Sequence, residues 1–206
     1  MKYVLFISAL LFAWGAVGQN NYRFQLLPVT DTVRTAAALN KIEFKTKINA
    51  SFFLTEAYDE KEGLFLFEQK GKDWIVYDYN EFVSNYSVSG LRYLDADHPA
   101  VTVTVSRSGM GTNLYSWIVI FDLAKKTYLS LMTGSYNEAY ENSTATIEQC
   151  ESKISIRSHG ISVRRTCDAP PTNAYCKNCL SSGEYTIKSN VLTKLPTIRK
   201  SAKAQD

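Results

Sequence analysis

The sequence predicts a mainly β protein, an antiparallel sandwich or open barrel, with α+β as the alternative. Three observations carry this. Ring side chains are abundant, with 13 Tyr, 10 Phe and 3 Trp, and aromatic and β-branched residues suit a pleated, half-buried surface. From Ile42 onward apolar residues recur at period two or in short runs broken by polar punctuation, the pattern of successive strands. Only residues 32–40, where Ala36-Ala37-Ala38-Leu39 follows Asp31 as a cap, carry the signals of a short helix.

In chain order, residues 1–18 read as an export signal. Lys2 gives a positive start, 3–14 are apolar, and Ala16-Val17-Gly18 supplies the small residues a signal peptidase reads. The apolar run is too short for a permanent transmembrane helix. The expected mature chain therefore starts at Gln19, is secreted or periplasmic, and has no stable membrane anchor. Residues 19–195 are expected to form a single β-rich domain, and 196–206, with Arg199, Lys200 and Lys203, a basic flexible tail.

Residues 22–29, apolar around Pro28, are expected as a short strand or docked arm. Segments 64–69 and 74–79 flank Lys70-Gly71-Lys72-Asp73 and read as a hairpin. Val101, Val103 and Val105 alternate with Thr102, Thr104 and Ser106, which puts valines on one face and hydroxyls on the other. Residues 115–121 are apolar on both faces, as a covered central strand would be, and 122–126 turn the chain back into 127–132. Further strands are expected at 145–148, 153–157, 161–165 and 185–188. Trp74-Ile75-Val76-Tyr77-Asp78 resembles Trp117-Ile118-Val119-Ile120-Phe121-Asp122, but two copies do not make a propeller.

In an oxidising compartment the four cysteines are expected to form two disulfides. Folding 153–157 onto 161–165 so that paired residue numbers sum to 317 sets Ile156 opposite Ile161 and Ile154 opposite Val163. It also sets Cys150 opposite Cys167, at the Cα separation of about 4.5–5.5 Å that a bridge accepts. This register calls for a four-residue loop, 157–160, and tolerates a like-charge pair of Lys153 with Arg164. A three-residue loop with Gly160 left-handed would instead shift the pairing by one. Cys176-Lys177-Asn178-Cys179 is then left to close on itself. A redox reading lacks the helix that would stabilise a thiolate, and a zinc reading lacks a second pair of ligands at regular spacing.

Chemistry is thinly represented. Without Lys2 the chain holds 22 Lys plus Arg against 20 Asp plus Glu, not the basic excess of a nucleic-acid binder. His98 and His159 are the only histidines, so triads and multi-histidine metal sites lack material. Leu94-Asp95-Ala96-Asp97-His98-Pro99 is the one cluster suited to a cation, yet Pro99 and Ala100 stand where a calcium loop places a ligand and a glycine. A solvated turn is expected there, with no metal and no cofactor. In outline 91–105 resembles the Asp-rich turn and apolar strand of FG-GAP-like repeats; the third ligand and the glycine are missing, so no residue role is carried over. Ser108-Gly109-Met110-Gly111-Thr112 lies between strands and reads as a hairpin loop, not a phosphate cradle. The acidic run 56–62 reads as a solvated loop, and Asn49, Asn85 and Asn142 match the glycosylation pattern. The expected function is non-catalytic: an exported domain binding an extracytoplasmic protein or glycan through aromatic residues on a sheet face or loop. A secreted carboxylate-dependent hydrolase is the alternative.

Overall fold

The computed structural model describes residues 21–34, 42–44, 46–79, 86–108, 111–141, 144–157, 159–166 and 179–196. The expected export signal, Cys167, Cys176 and the tail beyond residue 196 lie outside the described residues. The described chain is mainly β, in antiparallel sheets, without a closed barrel. Its strands are β1 (Asn21–Arg23), β2 (Gln25–Leu26), β3 (Val29–Val33), β4 (Thr46–Lys47), β5 (Phe52–Tyr58), β6 (Lys61–Lys70), β7 (Asp73–Tyr79) and β8 (Tyr86–Asp95). After them come β9 (His98–Ser108), β10 (Gly111–Asp122), β11 (Thr127–Glu141), β12 (Thr144–Arg157), β13 (Gly160–Arg165), β14 (Gly183–Lys188) and β15 (Val191–Lys194).

Short turns hold neighbouring strands together, and several use left-handed residues other than glycine. Asp59 and Glu60 link β5 to β6 at φ 49° and 61°, and Ser189 and Asn190 link β14 to β15 at 51° and 64°. Two-residue loops of this kind match the twist of the strands they join. The acidic run 56–62 is therefore the tip of a hairpin, in which Tyr58 pairs with Lys61, rather than a loop. Gly71, at φ 62°, turns β6 into β7 as the sequence predicts.

Residues 22–29 divide among three short strands, and Asp31 and Thr32 belong to β3, so Asp31 is not a helix cap. The Ala36–Leu39 run lies outside the described residues. The expected strands 145–148 and 153–157 are parts of one long strand, β12.

A smaller sheet runs β3-β7-β6-β5-β4, and a larger one β1-β15-β14-β13-β12-β11-β10-β9-β8, with β2 beside β11. The alternation of β9 is realised: Val101, Val103 and Val105 are buried, and together with Val119, Phe121 and Tyr128 they pack on Leu54, Leu64, Leu66 and Tyr79 of the smaller sheet. Full burial of such side chains contributes about 1.5–3 kcal/mol each. Strand β10 is covered on both sides. Val119 and Phe121 enter this shared core, while Ile118 and Ile120 join a second one with Leu129, Leu131, Ile161, Val163, Tyr185 and Leu192.

The second core exists because β12 changes partners. Its residues up to Glu151 pair with β11, and from Ser152 onward it pairs with β13. Leu180 then donates to the Met132 carbonyl at 3.0 Å, and β2 pairs with Thr127 and Tyr128, in the space that β12 leaves beside β11. The β13-β14-β15-β1 part of the sheet thus folds over the far face of β9, β10 and β11. The molecule has three β layers with an apolar core between each two.

The register of β12 with β13 is the one expected, with Ile154 opposite Val163 and Ile156 opposite Ile161. The loop is not. Arg157 pairs with Gly160, so the connection is only residues 158–159, and His159 takes the left-handed conformation at φ 59°. Gly160 is there for space: a Cβ on it would stand 2.1 Å from the Tyr185 carbonyl oxygen.

Candidate functional site

Because the larger sheet folds over without closing, two strand edges face each other. Among the described residues, strand β8 ends the sheet and pairs with β9 alone, and β12 beyond Glu151 pairs with β13 alone. The two come close without pairing. Between them lies a cleft of about 470 Å³, walled by Gly90 and Arg92 of β8 and by residues 151–155 of β12. Its floor is Ala100 to Thr102, Ser116 to Ile118 and Thr133.

Two β-bulges shape it. On β8 the pairing slips between Ser89 and Arg92, with Gly90 left-handed at φ 64°, so Leu91 packs toward the shared core while Gly90 and Arg92 wall the cleft. On β11 the pairing slips opposite Ser116 and Trp117, which leaves Thr133 as the extra residue, buried at the cleft floor. Bulges commonly re-aim side chains in this way beside binding sites. Val101 and Trp117 present mainly backbone here, because their side chains pack in the shared core.

The lining is mostly hydroxyl and charge. Thr102, Ser116, Thr133, Ser152 and Ser155 bring hydroxyls; Arg92, Lys153 and Glu151 bring charge. Among the described residues no carboxylate pairs with Arg92 or Lys153. Lys153 stands directly opposite Arg164 across the β12-β13 ladder, the like-charge pair visible in the sequence.

One end of the cleft is fastened by the residues that the sequence singled out as a cation cluster. Asp95 Oδ1 accepts from the amides of Asp97 and His98, both at 3.0 Å, and lies 2.7 Å from His98 Nδ1. His98 Nε2 is 3.5 Å from Asp122, which itself pairs with Lys125 at 2.9 Å. His159, at the β12-β13 turn, reaches Asp95 Oδ2 at 3.3 Å. Both histidines of the chain thus converge on one carboxylate, joining the β8-β9 turn to the β12-β13 turn. Burial pushes the Asp95 and Asp122 carboxyls up, but hydrogen bonds from His98 and Lys125 outweigh it and hold both below the ordinary carboxylate range. The oxygens of Asp95 are spent on the turn, and among the described residues no group of three His, Cys, Asp or Glu is arranged to hold a metal.

The other expected positions lie elsewhere. Cys150 and Cys179 are disulfide-bonded and buried in one small cluster with Met132, away from the cleft lining. The expected partners Cys167 and Cys176 lie outside the described residues. Glu56 of the acidic run accepts the Val88 amide of β8 at 2.9 Å, a structural use. Asn49 folds its side chain onto the amides of Ser51 and Phe52; Asn85 and Asn142 are not described. A broad aromatic binding face is missing among the described residues. Phe44, Phe53, Phe67 and Trp74 stack on one another at ring separations of 5.1–6.5 Å, and Tyr93 is the one large aromatic counted as exposed.

Fold and cleft define a class: a mainly β protein of two packed antiparallel sheets with an open, polar, edge-to-edge cleft. No family model matches the chain, and neither a curated protein nor a solved structure shows significant similarity to it.

Proposed function

We propose that the chain is an exported, non-catalytic binding protein that takes a protein or glycan ligand in the cleft between β8 and β12. The observation that carries this is the cleft itself, where strand edges, the hydroxyls of Thr102, Ser116, Thr133 and Ser155, and two cations that have no ion pair among the described residues converge on one cavity. Polar groups left open along a concave surface are what a binding site offers. The hydrolase alternative has less support: a glycosidase needs two carboxyl groups flanking the bond, and among the described residues Glu151 is the one carboxylate lining the cleft. Export is consistent with the bonded state of Cys150 and Cys179.

The test is chemical-shift mapping of the isotope-labelled mature protein against a panel of oligosaccharides and extended peptides. Shifts confined to Arg92, Thr102, Thr133 and residues 151–155 are expected with at least one class. Shifts centred on the aromatic cluster around Trp74, with the cleft silent, would refute the assignment.

A further inference from the structure

Resting on the reading of the cleft as a binding site, we infer that its occupant is an extended acidic segment of another protein, added as a strand against the open edge of β12 that faces β8 across the cleft. An unpaired strand edge carries a row of amide donors and carbonyl acceptors at the spacing of a β-strand, and an extended peptide is the ligand whose own backbone matches that row. This molecule presents two such edges toward one cavity, since β8 pairs with β9 alone and β12 from Ser152 to Arg157 pairs with β13 alone. Part of the β8 edge is already in use, since the Val88 amide donates to the Glu56 carboxylate of the smaller sheet at 2.9 Å, so the β12 edge offers the freer row.

Charge selects among peptides. Arg92 on one wall and Lys153 on the other are without ion pairs among the described residues, Arg164 stands beside Lys153, and Glu151 is the single opposing charge in the lining. Charged residues and a bulge on an edge also deter pairing with like strands. Here they reject a second copy of the same edges, cation against cation, and the chain's own basic C-terminal residues, while admitting carboxylates. The hydroxyls of Thr102, Ser116 and Thr133 supply further donors for carboxylate side chains pointing to the floor.

The experiment uses the mature protein and four probes: a peptide of about eight residues alternating Glu with Thr and Val, its Lys-for-Glu counterpart, the Glu peptide N-methylated at alternate residues, and an oligosaccharide of uronic acids. Calorimetric titration is expected to show the Glu peptide binding at least tenfold more tightly than the Lys peptide. N-methylation is expected to cost at least tenfold, since it removes backbone donors and leaves side-chain charge intact. Arg92→Glu with Lys153→Glu, both on exposed side chains, is expected to reverse the order of the Glu and Lys peptides. Equal binding of the N-methylated peptide overturns strand addition. Binding of the uronic oligosaccharide alone overturns the peptide inference and leaves the cleft a binding site. Silence of all four overturns the inference, and silence of the cleft in the wider panel as well overturns the reading beneath it. Dimerisation that Lys153→Glu abolishes would show that a second copy is the occupant instead.

Discussion

Replacing Gly160 by alanine tests the reading of the β12-β13-β14 wall. The added methyl would stand 2.1 Å from the Tyr185 carbonyl oxygen and 3.2 Å from the Thr186 Cα, both backbone atoms that cannot rotate away. Relieving the clash means moving β14 by about 1 Å at the point where Gly160 pairs with Thr186 and where Ile187 donates to the His159 carbonyl at 3.0 Å. Two or three hydrogen bonds at about 1 kcal/mol each, with overpacking of about 1–3 kcal/mol, set the loss. The lower entropy of the unfolded alanine chain returns about 0.4–1 kcal/mol. We expect a net destabilisation of about 2–6 kcal/mol, read as a denaturant midpoint shift followed by Trp fluorescence, or a fall in Tm of roughly 4–24 °C. A change below about 1 kcal/mol would refute the argument that space, not backbone freedom, requires this glycine.

Four further outcomes follow from the same geometry. Glu68 is buried, accepts from Tyr77 at 2.7 Å and pairs with Lys126 at 2.9 Å, so it ties the smaller sheet to the β10-β11 turn; Glu68→Gln should cost about 2–4 kcal/mol by equilibrium unfolding, and a double mutant with Lys126→Met should recover part of it. The folded carboxyls of Glu68, Asp95 and Asp122 lie below their ordinary values, so their stabilisation is complete above about pH 5 and is lost as pH falls through the folded values; Asp122→Asn should flatten the acid limb of Tm against pH. Asp78 has the opposite sign, since burial raises its carboxyl against the opposing charge of Lys61; Asp78→Asn should raise Tm at neutral pH and lose that advantage below about pH 4. No cysteine is free among the described residues, so the unreduced, denatured protein should show no maleimide-reactive thiol at Cys150 or Cys179, and a labelled thiol at either would contradict the bonded state.

Much of the fold could be read from residues one at a time, because the alternation of Val101, Val103 and Val105 reports which face is buried whatever the neighbouring strand. The β12-β13 register was legible for the same reason: of the alignments that put Ile154, Ile156, Ile161 and Val163 on a common face, the one observed sets all four directly opposite one another in two pairs. The Gly160 loop was misread because the sequence shows a glycine but not the carbonyl packed against it. Asp95 stood out in the sequence within a cluster read as a solvated turn, but its tie to the β12-β13 turn did not, since only the fold brings His159, far along the chain, to its second oxygen.

The cleft itself was hidden from the sequence. Periodicity distinguishes faces of a strand, while an open edge is a property of topology, set here by the point after Glu151 where β12 leaves β11. Arg92 and Lys153 are ordinary isolated cations in the sequence, and Thr133 is one of several polar residues of β11, with nothing to mark it out until a bulge turns it to the floor. The one available signal was the opposition of Lys153 and Arg164, a pair whose repulsion costs stability unless something acidic comes to meet it.

Amide hydrogen exchange of the ligand-free protein puts the open seam to the most direct trial. The account predicts that, in β8 apart from the Val88 amide held by Glu56 and in residues 152–157 of β12, the amides turned away from β9 and β13 exchange rapidly, while those turned toward β9 and β13 are protected. Uniform slow exchange along both strands would mean that their edges are already occupied, and the cleft could not receive a strand.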